Sequence, residues 1–279
     1  MSPRILLALV LSFLNTAPFT HADAVPASAT DPAGEVERLI AQGAYGRRPV
    51  LWFARDPERN LGAGPELFAA NSGGRLEARG TDPWGRERAA FGPLDSASGG
   101  VAVTGSTAHA IFSPDEGTVL FFFRPASARP EPMLLFSRGD WGGDNFFSLR
   151  VQPTRYGHGL MLALADPRVA RRARQIDLAA VEMGRWSFAA VVWRRQGEDL
   201  LLRHWAGSLV SGELTEGEQT MPATPATREV LLLGGRRERE EASLPKLLFA
   251  GGLFSQFCVY DAALDDDTVR RLFLAASRR

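Results

Sequence analysis

The chain of 279 residues contains very little cysteine and lysine: Cys258 and Lys246 are the only residues of their kinds. A single cysteine excludes an intramolecular disulfide, and the apolar run around Cys258 predicts a small buried side chain without a reactive role. The formal net charge is zero. A surface that binds nucleic acid or an anionic membrane is therefore not expected.

Patterns that indicate catalysis are also missing. A glycosidase needs two carboxylates that flank the scissile bond. The nearest group is Glu213, Glu216 and Glu218, but Gly212 and Gly217 lie among them and predict a turn. We therefore predict no catalytic residues.

Histidines do not supply a metal site in this sequence. His109, His158 and His204 stand far apart, without the short spacing that metal ligands on one element show. Each is expected to be a structural or exposed residue, and the sequence assigns no metal ligands.

The first 24 residues match the pattern of a secretory signal peptide. Arg4 provides the positive charge, residues 5–14 form an apolar core too short to span a membrane, and Ala22 and Ala24 precede a cleavage point at Val25. No later stretch approaches a transmembrane helix. We expect a mature chain that begins at Val25 and is secreted or periplasmic.

Residues 25–48 are predicted to form a leader with one short helix. Asp31 can cap that helix, Pro32 suits its first turn, and Gly43 can end it. Its apolar face is expected to pack on the domain that follows.

Short apolar segments separated by Gly, Pro, Asn and Asp dominate the rest of the chain. This pattern, with almost no helical periodicity, predicts an all-β fold of two antiparallel sheets. A helix over residues 265–273 is expected to end it. The predicted strands cover residues 49–54, 89–91, 100–104, 108–112, 117–124, 133–138, 145–151, 159–164, 186–193, 199–205, 208–213, 230–234 and 253–260. Residues 56–88 and 236–241 are predicted as loops, the first with one irregular strand.

Three segments occur in a familiar order: GTVLFFFRP at 117–125, GRWSFAAVV at 184–192 and GGLFSQFCVYDAAL at 251–264. Together they resemble the laminin-G-like domains of the concanavalin A-like lectin/glucanase superfamily. The resemblance implies a jelly-roll sandwich with one concave sheet, here a domain over residues 49–275 between short N- and C-terminal helices.

The sequence departs from that family at two places. The acidic pair of the last strand, which helps to hold calcium in many relatives, falls on Ser255 and Gln256. Calcium is the one cofactor that the resemblance suggests, but these positions lack its hard carboxylate ligands. The tryptophan expected in the early strand is replaced by Phe123.

The loop at residues 139–145 (GDWGGDN) is the candidate ligand site, because loops at the edge of a sandwich often bind ligands. Trp141 offers an aromatic face for a sugar ring, and Asp140, Asp144 and Asn145 offer oxygen atoms for hydroxyls or a cation. Trp84 is a second loop aromatic. The alternative is that these residues only form turns, as Gly, Asp and Asn commonly do.

These features predict an exported, non-catalytic binding module that is lectin-like and binds a glycan. Two alternatives stay open: a module that binds an extracellular or cell-envelope protein, and a divergent glycoside hydrolase or lyase of the same fold. A carboxylate pair across the concave sheet would favour the enzyme. An exposed aromatic platform without such a pair would favour the lectin, and a flat apolar face would favour a protein partner.

Overall fold

Two antiparallel β-sheets pack face to face, which confirms the predicted sandwich. The computed structural model describes residues 31–43, 46–55, 59–64, 70–71, 78–92, 101–104, 113, 115–126, 132–138, 140–141, 147–165, 173–223, 230–233, 235–238, 246–247 and 252–278. The predicted signal peptide and the predicted strand at 108–112 lie outside these residues. The domain bounds of 1–24, 25–48 and 49–275 therefore stay a prediction.

The described residues form eighteen strands and two helices. The helices are α1 (Pro32–Gln42) and α2 (Asp266–Ser277). The strands are β1 (Leu51–Phe53), β2 (Ala70–Asn71), β3 (Ala78–Gly80), β4 (Ala90–Phe91), β5 (Val101–Thr104), β6 (Glu116–Pro125), β7 (Met133–Arg138), β8 (Asp140–Trp141), β9 (Phe147–Thr154), β10 (Gly157–Ala165), β11 (Ala173–Val181), β12 (Ser187–Gln196), β13 (Asp199–Ser208), β14 (Leu214–Pro222), β15 (Val230–Leu233), β16 (Gly235–Glu238), β17 (Lys246–Leu247) and β18 (Gly252–Tyr260).

The strand order defines a front sheet and a back sheet. The front sheet runs β14-β13-β12-β6-β18-β4-β3, with β1 also paired to β18. The back sheet runs β11-β10-β9-β7-β15-β5-β2, and β17, β16 and β8 form a small third sheet. Strands far apart in sequence, such as β6 and β18, are neighbours, as a jelly roll requires.

The main core lies between the front and back sheets. Val119, Phe121 and Phe123 of β6 point into it and are at most 1% exposed. Trp193 of β12 lies 5.7 Å, ring centre to ring centre, from Phe147 of the back sheet. Phe123 thus fills the core position that the resemblance gives to tryptophan.

A second apolar cluster lies on the outer face of the front sheet, under the two helices. Leu120 and Phe122 of β6 are buried there, against Ile40 of α1 and Phe273 of α2 among others. Both faces of β6 and β12 are therefore covered, which explains why their sequences are apolar at nearly every position.

Both helices begin at the aspartates that the sequence indicates. The Asp31 carboxylate accepts a hydrogen bond from the Ala33 amide at 3.1 Å, and the Asp265 carboxylate accepts one from the Thr268 amide at 2.7 Å. These caps satisfy amides that have no partner inside the helix. The helix predicted over 265–273 continues to Ser277.

Several local predictions are wrong. Residues 209–213, predicted as part of a strand, form the turn between β13 and β14, with Gly212 at φ 72°. Gly217, predicted in a turn, lies inside β14 opposite His204. β11 was not predicted as a strand, and β16 lies where a loop was predicted. In β11 and β14 the exposed face is polar, so the apolar signal of a strand is weak.

His204 of β13 gives the fold a pH dependence that can be measured. The side chain is 5% exposed, neither ring nitrogen has a hydrogen-bond partner among the described residues, and burial lowers its pKa below 6.5. Below pH 6.5 the unfolded chain therefore binds a proton that the folded chain does not. The free energy of unfolding should fall as the pH drops below about 6.5, by up to about 1.4 kcal/mol per pH unit.

Urea denaturation of the wild type and of His204→Leu between pH 5 and 8 checks this expectation. The variant should show a flatter dependence over that range. Equal slopes for the two proteins would show that His204 is not the group responsible.

Candidate functional site

A β-bulge in β18 shapes the candidate site. The pairing of β18 with β6 shifts register between Ser255 and Cys258. Gln256, inside the bulge, has φ 52°, a left-handed conformation that costs a non-glycine residue about 1–2 kcal/mol. Its side chain is 1% exposed and bonds to groups from two other elements. These hydrogen bonds offset the backbone cost.

Gln256 is the centre of a hydrogen-bonded network. The Trp52 Nε1–H of β1 donates to Gln256 Oε1 at 2.7 Å, and Gln256 Nε2 donates to Glu37 Oε1 of α1 at 3.1 Å. Arg86 Nη2 donates to the same Glu37 oxygen at 2.7 Å, and Arg86 Nε donates to Asp82 at 2.6 Å. Helix α1, β1, β18 and the segment before β4 are thus tied together at one point.

Asp82 holds Arg86 in place within this network. Its side chain has no exposed area, and its carboxylate also accepts from the Trp84 and Arg86 amides at 3.0 and 2.9 Å. Burial lowers the pKa of Arg86, but the hydrogen bonds and charges of Glu37 and Asp82 outweigh it and raise the pKa overall. The guanidinium therefore stays charged and fixed in direction.

The network forms the floor of a cleft of about 200 Å³, which we call the Trp52 cleft; its walls include Glu37, Trp52, Leu61, Arg86 and Gln256. The side chains of Glu37 and Arg86 are 36% and 37% exposed. Among the described residues, Glu37 Oε2 and Arg86 Nη1 have no hydrogen-bond partner. The cleft therefore combines apolar walls with an acceptor and a donor, as small-ligand sites do.

A larger groove of about 530 Å³ lies beside the N-terminus of α2. Its charges are paired: Arg203 contacts Asp266 at 2.6 Å and Glu218 at 3.1 Å, and Arg270 contacts Glu216 at 2.8 Å. The Arg270 hydrogen bond lowers the pKa of Glu216. These ion pairs join α2 to β13 and β14.

The structure places Trp84 in a packing position. Its indole Nε1–H donates to the Ala276 carbonyl of α2 at 3.3 Å, and its ring meets Phe122 edge-on at 5.4 Å. The Arg86 guanidinium lies 5.5 Å from the ring centre. Trp84 thus supports the wall of the Trp52 cleft without lining it.

Two of the other predicted site residues belong to a short strand. Asp140 and Trp141 form β8, which pairs in parallel with β16. Asp144 and Asn145 lie outside the described residues. A ligand role for the loop at 139–145 therefore stays a prediction.

Ser255 and Gln256, which stand where laminin-G-like domains have an acidic pair, form hydrogen bonds within the protein. Ser255 Oγ donates to the Ala89 carbonyl at 3.4 Å, and Gln256 belongs to the network already described. In the described part of the chain, no group of three His, Cys, Asp or Glu side chains could hold a metal ion. No described helix is long and apolar enough to cross a membrane.

No family model matches the sequence, and no curated protein matches it. Solved structures do match the fold. One is a structure of botulinum neurotoxin type C, a toxin whose cell entry depends on interaction with two ganglioside molecules. It is 12% identical to this chain, with a TM-score of 0.55, and the match covers 86% of this chain and 53% of the neurotoxin chain. The binding domain of botulinum neurotoxin serotype C1 is also 12% identical, with a TM-score of 0.51. That match covers 82% of this chain and 52% of the neurotoxin chain.

These matches show that the fold is a two-sheet β-sandwich of the jelly-roll type. The chain spans about half the length of the neurotoxin chains that it matches. The CBM40 of a Ruminococcus gnavus IT-sialidase, bound to α2,3 sialyllactose, is 19% identical with a TM-score of 0.44, over 62% of this chain and 92% of its own.

Four residues of the Trp52 cleft were not predicted as site residues: Glu37, Trp52, Arg86 and Gln256. Trp52 lies in an apolar strand, LWF, where an aromatic side chain usually packs against its neighbours. The one available signal was the glutamine in the apolar run FSQFCVY, since a lone amide in a buried strand needs partners.

Proposed function

We propose that the protein is an exported, non-catalytic, laminin-G-like module that binds carbohydrate, and that the Trp52 cleft holds a sugar ring. The observation behind the proposal is the cleft itself, which places an indole, a carboxylate and a guanidinium around one small hollow. Sugars present apolar ring faces and hydroxyls that both donate and accept, and such a cleft suits both.

The charges elsewhere support binding over hydrolysis. Glu216 and Glu218, the carboxylates nearest to a catalytic pattern, each bond to an arginine. Burial also raises the pKa of the Cys258 thiol well above its ordinary value, which makes it a poor nucleophile. These observations support recognition by hydrogen bonds and stacking as the function.

The fold supports the same function. One structure of this fold is described by the interaction of botulinum neurotoxin type C with two ganglioside molecules. Shared fold alone does not fix a function. The specific argument is therefore the chemistry of the Trp52 cleft.

The loop at residues 139–145 is proposed as a second ligand contact, with Trp141 stacking on a sugar and Asp140, Asp144 and Asn145 bonding to hydroxyls. If so, Trp141→Ala should weaken glycan binding and leave the melting temperature nearly unchanged. Unchanged affinity in a folded variant would remove the loop from the site. Loss of folding would make Trp141 a packing residue.

A glycan array tests the proposed function. The chain from Val25 onward should bind at least one glycan class, and a chelator should not abolish binding, because Ser255 and Gln256 offer no carboxylate for calcium. Absence of binding to every glycan would contradict the proposal.

Export is checked by N-terminal sequencing of the secreted protein. The sequence should begin at Val25, and a sequence that begins at Met1 would contradict export.

A further inference from the structure

Charged groups of both signs surround the Trp52 cleft. Among the described residues, Glu37 and Glu87 line it together with Arg55 and Arg86. The buried Asp82 carboxylate, which does not line the cleft, adds one negative charge behind Arg86. Charges in such surroundings interact more strongly than in open water.

Arg86, the cation fixed in the cleft, is already neutralised. Its Nη2 bonds to Glu37 at 2.7 Å and its Nε bonds to Asp82 at 2.6 Å, so two carboxylates share one guanidinium. A ligand carboxylate or sulfate would approach this guanidinium beside both of them. Such an anion would have to displace Glu37 or accept repulsion from it.

The free hydrogen-bond acceptor of the cleft favours a ligand group that donates a hydrogen bond. Glu37 Oε2 has no partner among the described residues, and an ionised carboxylate only accepts hydrogen bonds. A hydroxyl can donate to it while accepting from Arg86, and an ammonium can donate to it with a favourable charge. Both groups occur on uncharged or amino sugars.

We infer that the Trp52 cleft selects neutral or amino sugars and rejects sugars that bear a carboxylate or a sulfate. This inference rests on the proposed function and adds the class of ligand. Glu37 is the residue that determines the selectivity, because its carboxylate repels an anionic sugar and also neutralises Arg86.

Matched sugars give the sharpest test. The probes are glycans that end in glucose or galactose and their counterparts that end in glucuronate or galacturonate, which differ only at C6. Array binding identifies the best pair, and calorimetry measures both members with the wild type and with Glu37→Gln. Glu37→Gln keeps an oxygen for Arg86 and removes the charge. Glu182→Gln is the control, because Glu182 is also exposed and paired with an arginine, Arg185, but does not line the cleft.

The wild type should bind the neutral member at least tenfold more tightly. Glu37→Gln should reduce that ratio at least threefold, and Glu182→Gln should leave it unchanged. An equal or opposite preference in the wild type, or an unchanged ratio in Glu37→Gln, would overturn the inference while carbohydrate binding stands. Unchanged glycan affinity in Leu61→Trp, whose larger side chain fills the cleft, would also overturn it. Absence of binding to every glycan would instead reject the proposed function and the inference with it.

Discussion

Trp193→Ala should lower the free energy of unfolding by about 3–5 kcal/mol, the usual cost of removing a large buried aromatic side chain. Trp193 has no exposed area and lies between the two sheets. Its ring is 5.7 Å from Phe147, the Arg138 guanidinium lies 5.4 Å above it, and its Nε1–H donates to the Ser113 carbonyl at 3.0 Å. Alanine would leave a cavity and an unpaired carbonyl.

Urea denaturation measures this loss, with Tyr156→Ala as the control. Tyr156 lies at the tip of the β9–β10 hairpin and is 90% exposed, so its removal should change stability by less than about 0.5 kcal/mol. A loss below about 1 kcal/mol for Trp193→Ala would mean that the sandwich core is not built around this residue.

Leu61→Trp should reduce glycan binding at least tenfold, which corresponds to about 1.4 kcal/mol. Leu61 is 39% exposed and lines the Trp52 cleft. A larger side chain there fills a hollow of about 200 Å³ without entering the core. The loss should therefore appear in affinity and not in the melting temperature.

Leu274→Trp is the matched control, because it places the same substitution on the exposed face of α2. Leu274 is 53% exposed and does not line the Trp52 cleft. It should bind glycan as the wild type does. Equal affinity of Leu61→Trp and Leu274→Trp would show that the sugar binds elsewhere.

The sequence allowed the sandwich to be predicted because its central strands are unmistakable. β6 and β12 are apolar on both faces, and few other arrangements bury such strands completely. The first helix was predicted because Asp31 can cap it, Pro32 suits its first turn and Gly43 can end it. The second helix also begins after an aspartate, Asp265. These are local signals, which a sequence shows directly.

The strands that escaped prediction lie toward the edge of the sandwich. β14 has the sequence LTEGEQTMP, with Met221 as its one fully buried apolar residue. Its glycine at 217 indicates a turn by propensity, but His204 occupies the space that a side chain there would need. Packing against a neighbour, which a sequence does not show, decides the conformation of such a segment.

The Trp52 cleft could not be predicted for a similar reason. Trp52 and Gln256 are 204 residues apart in sequence, and Glu37 and Gln256 are 219 apart. Their meeting depends on the bulge in β18 and on where α1 packs. Aromatic residues in predicted loops were therefore favoured, whereas the structure brings an aromatic residue of a strand into the cleft.

The central claim is that a sugar occupies the Trp52 cleft, and the indole N–H resonance of Trp52 reports on it most directly. The signal can be assigned in a nitrogen-15 correlation spectrum by its absence in Trp52→Phe. On titration with the neutral glycan that binds best on the array, this signal should shift, because the Trp52 indole N–H donates a hydrogen bond to Gln256 at the floor of the cleft. The signals of Trp193 and Trp205, which are buried and do not line the cleft, should stay in place. A Trp52 signal that does not move at saturating glycan would contradict the account.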